Sequence, residues 1–141
     1  MATESSATTN WHGSLTNGSG TTHPQSGAFP DVEVTWASRT ERSTAKTSPE
    51  ELLAAAHASC YCMALSHELS EAGNEPEQLE ATATVGFVPG EGVTGSHIVV
   101  KGRVPGIDQA AFEDAAQSAG KNCPISGALG VGITVDATLE S

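Results

Sequence analysis

The stretch Thr47–Pro76, TSPEELLAAAHASCYCMALSHELSEAGNEP, carries the strongest helix pattern in the chain and holds two of its three cysteines. At its start Ser48 is placed as an N-cap, Pro49 suits the first helical position, and Glu51 completes an S-x-x-E capping box. At its end Gly73 can adopt the left-handed conformation that stops a helix, and the proline that follows prevents the helix from resuming. The sequence therefore predicts a helix of about six turns.

The middle of this helix, residues 54–63, is nearly uncharged and consists mostly of small side chains. A helix without a polar face is expected to be buried nearly all round. Successive residues turn about 100° around the axis, so Cys60 shares a face with His57 while Cys62 lies about 200° away. A disulfide between Cys60 and Cys62 would require the helix to unwind, so the C-x-C sequence is not a local redox pair.

A thiol placed about three turns inside a buried helix needs help to ionise. Apolar surroundings raise a thiol pKa above its usual ~8.5, and the positive end of the helix dipole has faded at that depth. A nearby arginine could supply the missing charge, and Arg39 and Arg42 lie just upstream. Glu50 is about 80° from Cys60 around the axis, so Glu50 is the carboxylate better placed to hold such an arginine.

Length and composition limit the possible functions. At 141 residues we expect one domain, residues 1–141, with about residues 1–8 as a loose start. The formal net charge of -11 argues against nucleic acid and anionic membranes as partners, and fits good solubility or a salt-tolerant host. No segment approaches the ~20 apolar residues of a membrane span and no signal peptide is evident, so a cytoplasmic protein is expected.

The rest of the chain is predicted to consist of strands and one further helix. The predicted strands cover residues 9–22 (as a hairpin), 28–38, 77–88, 96–104 and 131–139. The strand over residues 28–38 would deliver Arg39 at its end. Asp108 is expected to cap the second helix.

The third cysteine, Cys123, precedes Pro124, which restarts a short helical turn. A cysteine at a helix N-terminus experiences partial positive charge that favours its thiolate. From these patterns three interpretations stay open: small buried core residues, a metal site formed by Cys60, His57 and Cys123, or a thiol redox or nucleophilic site.

The chain resembles the OsmC/Ohr family of osmotically inducible and organic hydroperoxide resistance proteins, and more closely its OsmC branch. The resemblance rests on the run SPEELLAAAHASCYCMAL at residues 48–65, on NCPISGAL at residues 122–129, and on an early W-H-G. It implies an α+β fold in which antiparallel sheets wrap long central helices in an intertwined homodimer. It also implies thiol-dependent reduction of organic hydroperoxides in oxidative or osmotic stress defence, with no metal or bound organic cofactor.

Carried over residue by residue, the resemblance makes Cys60 the peroxidatic cysteine and Cys123 the resolving one. Glu50 matches the carboxylate that holds the activating arginine, which is Arg39 or, alternatively, Arg42. In the implied cycle Cys60 is oxidised to a sulfenic acid that condenses with Cys123, and an external dithiol, expected to be a dihydrolipoyl group, reopens the disulfide.

The roles of Cys62 and His57 stay open, and so does one alternative function of the protein. Cys62 stands where the family usually has a small residue. His57 runs beside Cys60 on the helix rather than facing it, so we expect a histidine packed or hydrogen-bonded at the dimer interface. The alternative function is that of a non-catalytic family member that binds a hydrophobic ligand at that interface.

Overall fold

The computed structural model describes residues 2–42 and 45–140. The chain divides into two compact units, Met1–Leu52 and Leu53–Ser141, and the first turn of the long helix belongs to the first unit. The elements in chain order are β1 (Ala7–His12), β2 (Ser19–Pro24), β3 (Val32–Val34), α1 (Trp36–Thr40), α2 (Pro49–Glu71), β4 (Gln78–Val88), β5 (Gly92–Arg103), α3 (Gln109–Asn122), α4 (Pro124–Ala128) and β6 (Gly132–Glu140). The prediction of one domain over the whole chain stays a prediction.

The first unit contains an antiparallel sheet of three strands in the order β1-β2-β3. β1 and β2 form the predicted polar hairpin, in which Trp11 pairs with Gly20. A Cβ atom on Gly20 would lie 2.8 Å from the Trp11 ring. Glycine at this position therefore lets the indole ring lie across the neighbouring strand.

The prediction of one strand over residues 28–38 is wrong for most of its length, because β3 is short and α1 follows it. Thr35 caps α1: its Oγ1 accepts from the Ser38 amide at 3.0 Å, and the Ser38 Oγ accepts from the Thr35 amide at 3.1 Å. This reciprocal pair is a capping box, which stabilises the helix start over the extended alternative. Arg39 consequently lies in the last turn of a helix.

The second unit contains a sheet in the order β4-β5-β6, which packs with the helices of that unit. β4 and β5 are antiparallel as predicted, whereas β6 runs parallel to β5. The α+β class is confirmed, and the expectation of purely antiparallel sheets is corrected at this pair. The chain returns to the sheet through α3 and α4 rather than through a tight turn, and such crossovers are what parallel pairing requires.

Helix α2 begins and ends as its sequence predicts. The Ser48 Oγ accepts from the Glu51 amide at 3.1 Å, and Gly73 has a φ of 86° just beyond the last turn. The Glu51 carboxylate accepts a hydrogen bond from the Thr47 hydroxyl. Side-chain caps at the start and a left-handed glycine at the end satisfy polar groups that a helix leaves unpaired.

The prediction that residues 54–63 are buried nearly all round is wrong for the single chain. Met63 is 72% exposed, and Ala55, Ala56 and Ser59 on the same stretch are also exposed. The opposite face carries Tyr61 into the core of the second unit. The described residues of the second unit leave the other face of this stretch uncovered.

The core of the second unit joins α2 and α3 to one face of the sheet. Its fully buried side chains include Tyr61, Leu65, Ile98, Val100, Phe112, Ala116 and Ala119. Phe112 lies directly over β5 at Gly102, where a Cβ atom would be 2.6 Å from the ring. Among the helices in the described ranges, none combines the length and apolar character that a membrane crossing needs.

Candidate active site

The second unit brings two of the predicted site residues, Cys60 and Cys123, into one side-chain cluster. Cys60 is half-buried on α2, and Cys123 is 1% exposed at the junction of α3 and α4. Both are free thiols, and Cys60 packs against the core cluster that contains Cys123. Two cysteines far apart in sequence are therefore brought together in one side-chain cluster of the second unit.

Within this unit the surroundings of Cys60 favour its protonated thiol form. Burial raises the pKa of the Cys60 thiol, and the hydrogen bond to Cys123 raises it further. The backbone N–H of Ile125 acts in the opposite direction, by donating to the Cys60 sulfur. Cys60 therefore needs a further positive group to become a nucleophile at neutral pH.

The surroundings of Cys123, by contrast, lower the pKa of its thiol. Burial opposes its ionisation, but the hydrogen bonds that its sulfur accepts lower the pKa of Cys123. The contributions that lower it come from Ser126, Cys60 and Ile125. Cys123 is the N-cap of α4 with Pro124 in the first turn, as the sequence predicts. Of the two thiols, Cys123 is the one whose pKa is lowered, while the pKa of Cys60 is raised.

His57 lies between two buried serines of the second unit. Its side chain is fully buried, with Nδ1 2.6 Å from the Ser96 Oγ and Nε2 2.7 Å from the Ser126 Oγ. Burial lowers the pKa of the His57 imidazole, so the ring is neutral. Both hydrogen-bond partners belong to the same unit of the same chain, and the expectation of a histidine at a dimer interface stays a prediction.

The proposed metal ligand set of Cys60, His57 and Cys123 is not assembled. Both ring nitrogens of His57 are engaged by serine hydroxyls. Across residues 2–42 and 45–140 no group of three or more His, Cys, Asp or Glu side chains is arranged to hold a metal ion.

Cys62 occupies a separate environment on α2. Burial raises the pKa of its thiol, and the backbone of Ala81 on β4 partly offsets this by hydrogen bonding. It lines an open cleft of about 590 Å³ together with Met63, His67 and Leu79. Cys62 is therefore not part of the Cys60–Cys123 pair.

The first unit brings together the other predicted pair, Arg39 and Glu50. The Arg39 Nη2 donates to Glu50 Oε2 at 2.8 Å, and the Arg39 Nε donates to Oε1 at 3.0 Å. The Glu50 side chain is 8% exposed, so this two-point ion pair is shielded from water on the carboxylate side. Arg42 instead pairs with the exposed Glu51 at 3.3 Å. Of the two arginines left open by the sequence, Arg39 is the partner of Glu50.

Hydrogen bonds hold helix α1 in place and so fix the position of the Arg39 backbone. The Ser38 Oγ donates to the Thr47 carbonyl at 2.7 Å, and the Thr47 amide donates to the Glu33 carbonyl at 2.9 Å. Ser38 is buried while it makes this contact. The backbone that carries Arg39 is thus tied to the segment that leads into α2.

A small cavity of about 90 Å³ adjoins Arg39 within the first unit. Its walls are mostly apolar and come from Trp11, Leu15, Val34, Thr35, Trp36 and Pro49. A guanidinium group beside apolar walls can hold a small molecule that has a polar end and an alkyl or aryl body.

Two buried serines that contact His57, Ser96 and Ser126, were missed by the sequence analysis. Ser126 follows Cys123 by three residues, which at a helix start faces the capping position, so this spacing was an available signal. Ser96 carried no such signal, because its contact with His57 spans 39 residues and depends on how β5 packs against α2.

Comparisons with known proteins agree on one family. The family model described as OsmC-like protein matches residues 41–138. Peroxiredoxin OsmC of Escherichia coli (strain K12) is 37% identical over 134 residues, covering 93% of each chain. Similar solved structures include an OsmC-like protein from Mycoplasma pneumoniae, with a TM-score of 0.73, 16% identity and 100% of both chains covered. Another is the organic hydroperoxide resistance protein OhrB of Bacillus subtilis, with a TM-score of 0.67, 22% identity and 96% and 98% covered.

Proposed function

Since this chain belongs to the OsmC-like protein family, we propose that it is a thiol-dependent peroxidase that reduces organic hydroperoxides to alcohols. The placement of Cys60 against the core cluster that contains Cys123 is the observation that carries the proposal, because a peroxidase that works through a disulfide needs two thiols near each other. A relative named a peroxiredoxin, 37% identical over nearly the whole chain, supports the same role.

In the first step the Cys60 thiolate attacks the distal oxygen of the hydroperoxide. The O–O bond breaks, Cys60 becomes a sulfenic acid, and the alkoxide that leaves takes up a proton to become the alcohol. Because burial and Cys123 both raise the pKa of Cys60, this step needs a cation. Arg39, fixed by Glu50, is the group we assign to stabilise the thiolate and orient the peroxide.

In the second step the Cys123 thiolate attacks the Cys60 sulfenic acid. An S–S bond forms, the S–O bond breaks, and the oxygen leaves as hydroxide, which is protonated to water. Two thiol–disulfide exchanges with an external dithiol, proposed to be a dihydrolipoyl group, then restore both cysteines and oxidise the dithiol to its disulfide. The disulfide intermediate protects Cys60 from further oxidation.

The cavity beside Arg39 supports organic hydroperoxides as the substrate class. A cavity of about 90 Å³ with apolar walls suits a small alkyl or aryl group, and Arg39 suits the peroxide oxygens. Hydrogen peroxide has no apolar group, so it gains no binding energy from the apolar walls of this cavity.

The uncovered face of α2 supports a homodimer as the functional form. Met63 is 72% exposed beside exposed alanines, in a stretch of helix without charges. Apolar surface of this kind on a soluble protein marks a contact region. We propose that a second copy of the chain covers it, and that the dimer works in the cytoplasm in defence against oxidative or osmotic stress.

The test is the consumption of cumene hydroperoxide and of hydrogen peroxide by the purified protein with dihydrolipoamide as the reductant. We expect turnover that prefers the organic peroxide, is lost in Cys60→Ser and persists in the matched variant Cys62→Ser. Equal rates in the wild type and Cys60→Ser would overturn the proposal. No turnover by a fully reduced wild type would favour the alternative of a non-catalytic protein that binds a hydrophobic ligand.

A further inference from the structure

We propose that a hydrogen bond between His57 on α2 and Ser126 on α4 is a clamp that sets how closely Cys60 and Cys123 approach each other. The His57 Nε2 lies 2.7 Å from the Ser126 Oγ, and both side chains are buried. His57 is a positioning residue in this arrangement, because it acts on the two thiols through the helices that carry them. The consequence for the disulfide rests on the proposed function, whereas the link between the two helices does not.

The clamp lies one helical turn from each cysteine. His57 precedes Cys60 by three residues on α2, and Ser126 follows Cys123 by three residues at the start of α4. Residues three apart on a helix are neighbours on one face, separated by about 4.5 Å along the axis. A bond between the helices this close to both thiols leaves little freedom for one thiol to move away from the other.

Ser126 is the one residue of α4 whose side chain can make such a bond. The helix covers Pro124–Ala128, PISGA, and its other side chains carry no polar atom. Ile125 packs against the apolar core, but apolar contacts have no preferred direction, whereas a hydrogen bond fixes a distance and an angle. The position of this short helix relative to α2 should therefore depend on the Ser126 hydroxyl.

The backbone carries the effect of the clamp from Ser126 to Cys123. The Cys123 amide donates to the Ala119 carbonyl at 2.9 Å, and the Cys123 carbonyl accepts from the Gly127 amide at 3.1 Å. Cys123 and Ser126 thus belong to one hydrogen-bonded turn. A shift of α4 would move the Cys123 sulfur with it.

Ser96 fixes the other side of the His57 ring. The His57 Nδ1 lies 2.6 Å from the Ser96 Oγ on β5, and Ser96 is also buried. A neutral imidazole has one donor and one acceptor nitrogen, and a hydroxyl can complement either, so both hydrogen bonds form together. Water cannot readily replace a lost partner at a buried site. The ring is therefore held between β5 and α4 in one orientation.

The clamp should favour the disulfide by holding the two thiols near bonding geometry. A disulfide needs Cα atoms about 4.4–6.8 Å apart and a narrow range of dihedral angles. If α4 is free to shift, the reduced protein samples positions in which Cys60 and Cys123 cannot bond, and disulfide formation has to remove that freedom. The clamp therefore raises the effective concentration of one thiol for the other.

The test measures this effective concentration by equilibrium with glutathione. Two protein thiols are oxidised to one disulfide, while one glutathione disulfide is reduced to two glutathione molecules. The background is Cys62→Ser, and mass spectrometry after acid quenching gives the fraction of Cys60–Cys123 disulfide. We expect the equilibrium constant to fall about tenfold in Ser126→Ala and in His57→Leu. His57→Gln keeps an amide that can reach Ser126 and should recover most of the loss.

The matched control is Ser118→Ala, which removes a hydrogen bond between α2 and α3. The Ser118 Oγ donates to the Glu68 carboxylate at 2.9 Å, and Glu68 lies about two turns beyond Cys60 on α2. This variant should lose stability but keep the equilibrium constant of the background. Circular dichroism identifies any variant that fails to fold. If His57→Leu fails, Ser126→Ala carries the test, because it removes a single oxygen atom.

The possible outcomes separate the clamp from the proposed function. An equilibrium constant in Ser126→Ala equal to that of the background would overturn the clamp and leave the proposed function intact. The same loss in Ser118→Ala would also overturn the clamp, because the effect would then be a general loss of stability. Loss in the clamp variants alone, without any peroxide turnover by the wild type, would contradict the proposed function only. A background that forms no Cys60–Cys123 disulfide would contradict both.

A second experiment follows the consequence during turnover. The Cys60 sulfenic acid either condenses with Cys123 or reduces a second hydroperoxide and becomes a sulfinic acid. Slower condensation favours the second reaction, so Ser126→Ala should lose activity at a concentration of cumene hydroperoxide about tenfold lower than wild type and Ser118→Ala. Mass spectrometry should find the sulfinic acid at Cys60. Equal sensitivity of Ser126→Ala and wild type to the peroxide would contradict a role in disulfide formation.

Discussion

Arg39 binds Glu50 through two nitrogens of its guanidinium group, at 2.8 and 3.0 Å, while the carboxylate is buried. Removing either partner would leave the other charge without its main counter-charge, and a buried carboxylate tolerates this poorly. The pair therefore fixes the arginine in one orientation. An arginine that binds an anion needs such a fixed orientation.

We expect Arg39→Ala to lower the rate of peroxide reduction by more than about tenfold, since it removes the proposed electrostatic stabilisation of the Cys60 thiolate. Arg42→Ala is the matched control, because Arg42 pairs with the exposed Glu51 and should have little effect. The measurement is steady-state consumption of cumene hydroperoxide at a fixed concentration of dithiol. A larger loss in Arg42→Ala than in Arg39→Ala would reverse the assignment.

We expect Cys123→Ser to react once with peroxide and then stall, because the Cys60 sulfenic acid lacks its resolving thiol. Intact mass spectrometry after an excess of peroxide should show sulfinic and sulfonic acids at Cys60. The same treatment of Cys62→Ser should yield a Cys60–Cys123 disulfide, as in the wild type. An intramolecular disulfide that includes Cys62 in the wild type would contradict this pairing.

We expect Gly102→Ala to destabilise the second unit by about 1–3 kcal/mol, because overpacking forces a buried ring to move. The new Cβ atom would meet Phe112 at 2.6 Å and Leu79 at 3.0 Å. Gly132→Ala, also in a strand, would meet nothing within 4 Å and is the matched control. Urea denaturation compares the free energies of unfolding. Equal values for the two variants would show that the ring moves without strain.

We expect the stability of the protein to fall as pH rises above about 10, the ordinary pKa of tyrosine. Burial raises the pKa of Tyr61, so the folded protein keeps the phenol protonated where the unfolded chain ionises it. Tyr61 is the sole tyrosine of the chain, so phenolate absorbance reports this residue alone. Phenolate should appear together with unfolding. Ionisation near pH 10 in the folded protein would contradict the burial argument.

Local signals predicted much of the fold. The N-cap Ser48, the terminal Gly73 and the cap Asp108 each act within a few residues, and each does in the structure what its sequence context indicates. The strand alternation around Val34 misled the analysis, because the Thr35–Ser38 capping box starts a helix at the next residue. Two local signals competed there, and the hydrogen-bonded one determined the structure.

Long-range features lay beyond such signals. The parallel pairing of β5 with β6 depends on the path of two intervening helices, and strand patterns are the same for either direction. Likewise the contacts of His57 with Ser96 and Ser126 depend on three elements packing together. The helical position of His57 predicted its neighbour Cys60 but could not predict which hydroxyls would surround its ring.

The parallel pairing of β5 and β6 has a consequence for how the protein acquires its active form. The β4–β5 hairpin closes over a short turn and should form early. We expect β6 to pair with β5 only after α3 and α4 have packed against the sheet. Cys123 lies between those two helices, so we expect it to be placed only at that late stage. If the chain meets an oxidant during synthesis, Cys60 and Cys123 are therefore not yet next to each other. We expect correct folding to depend on a reducing environment.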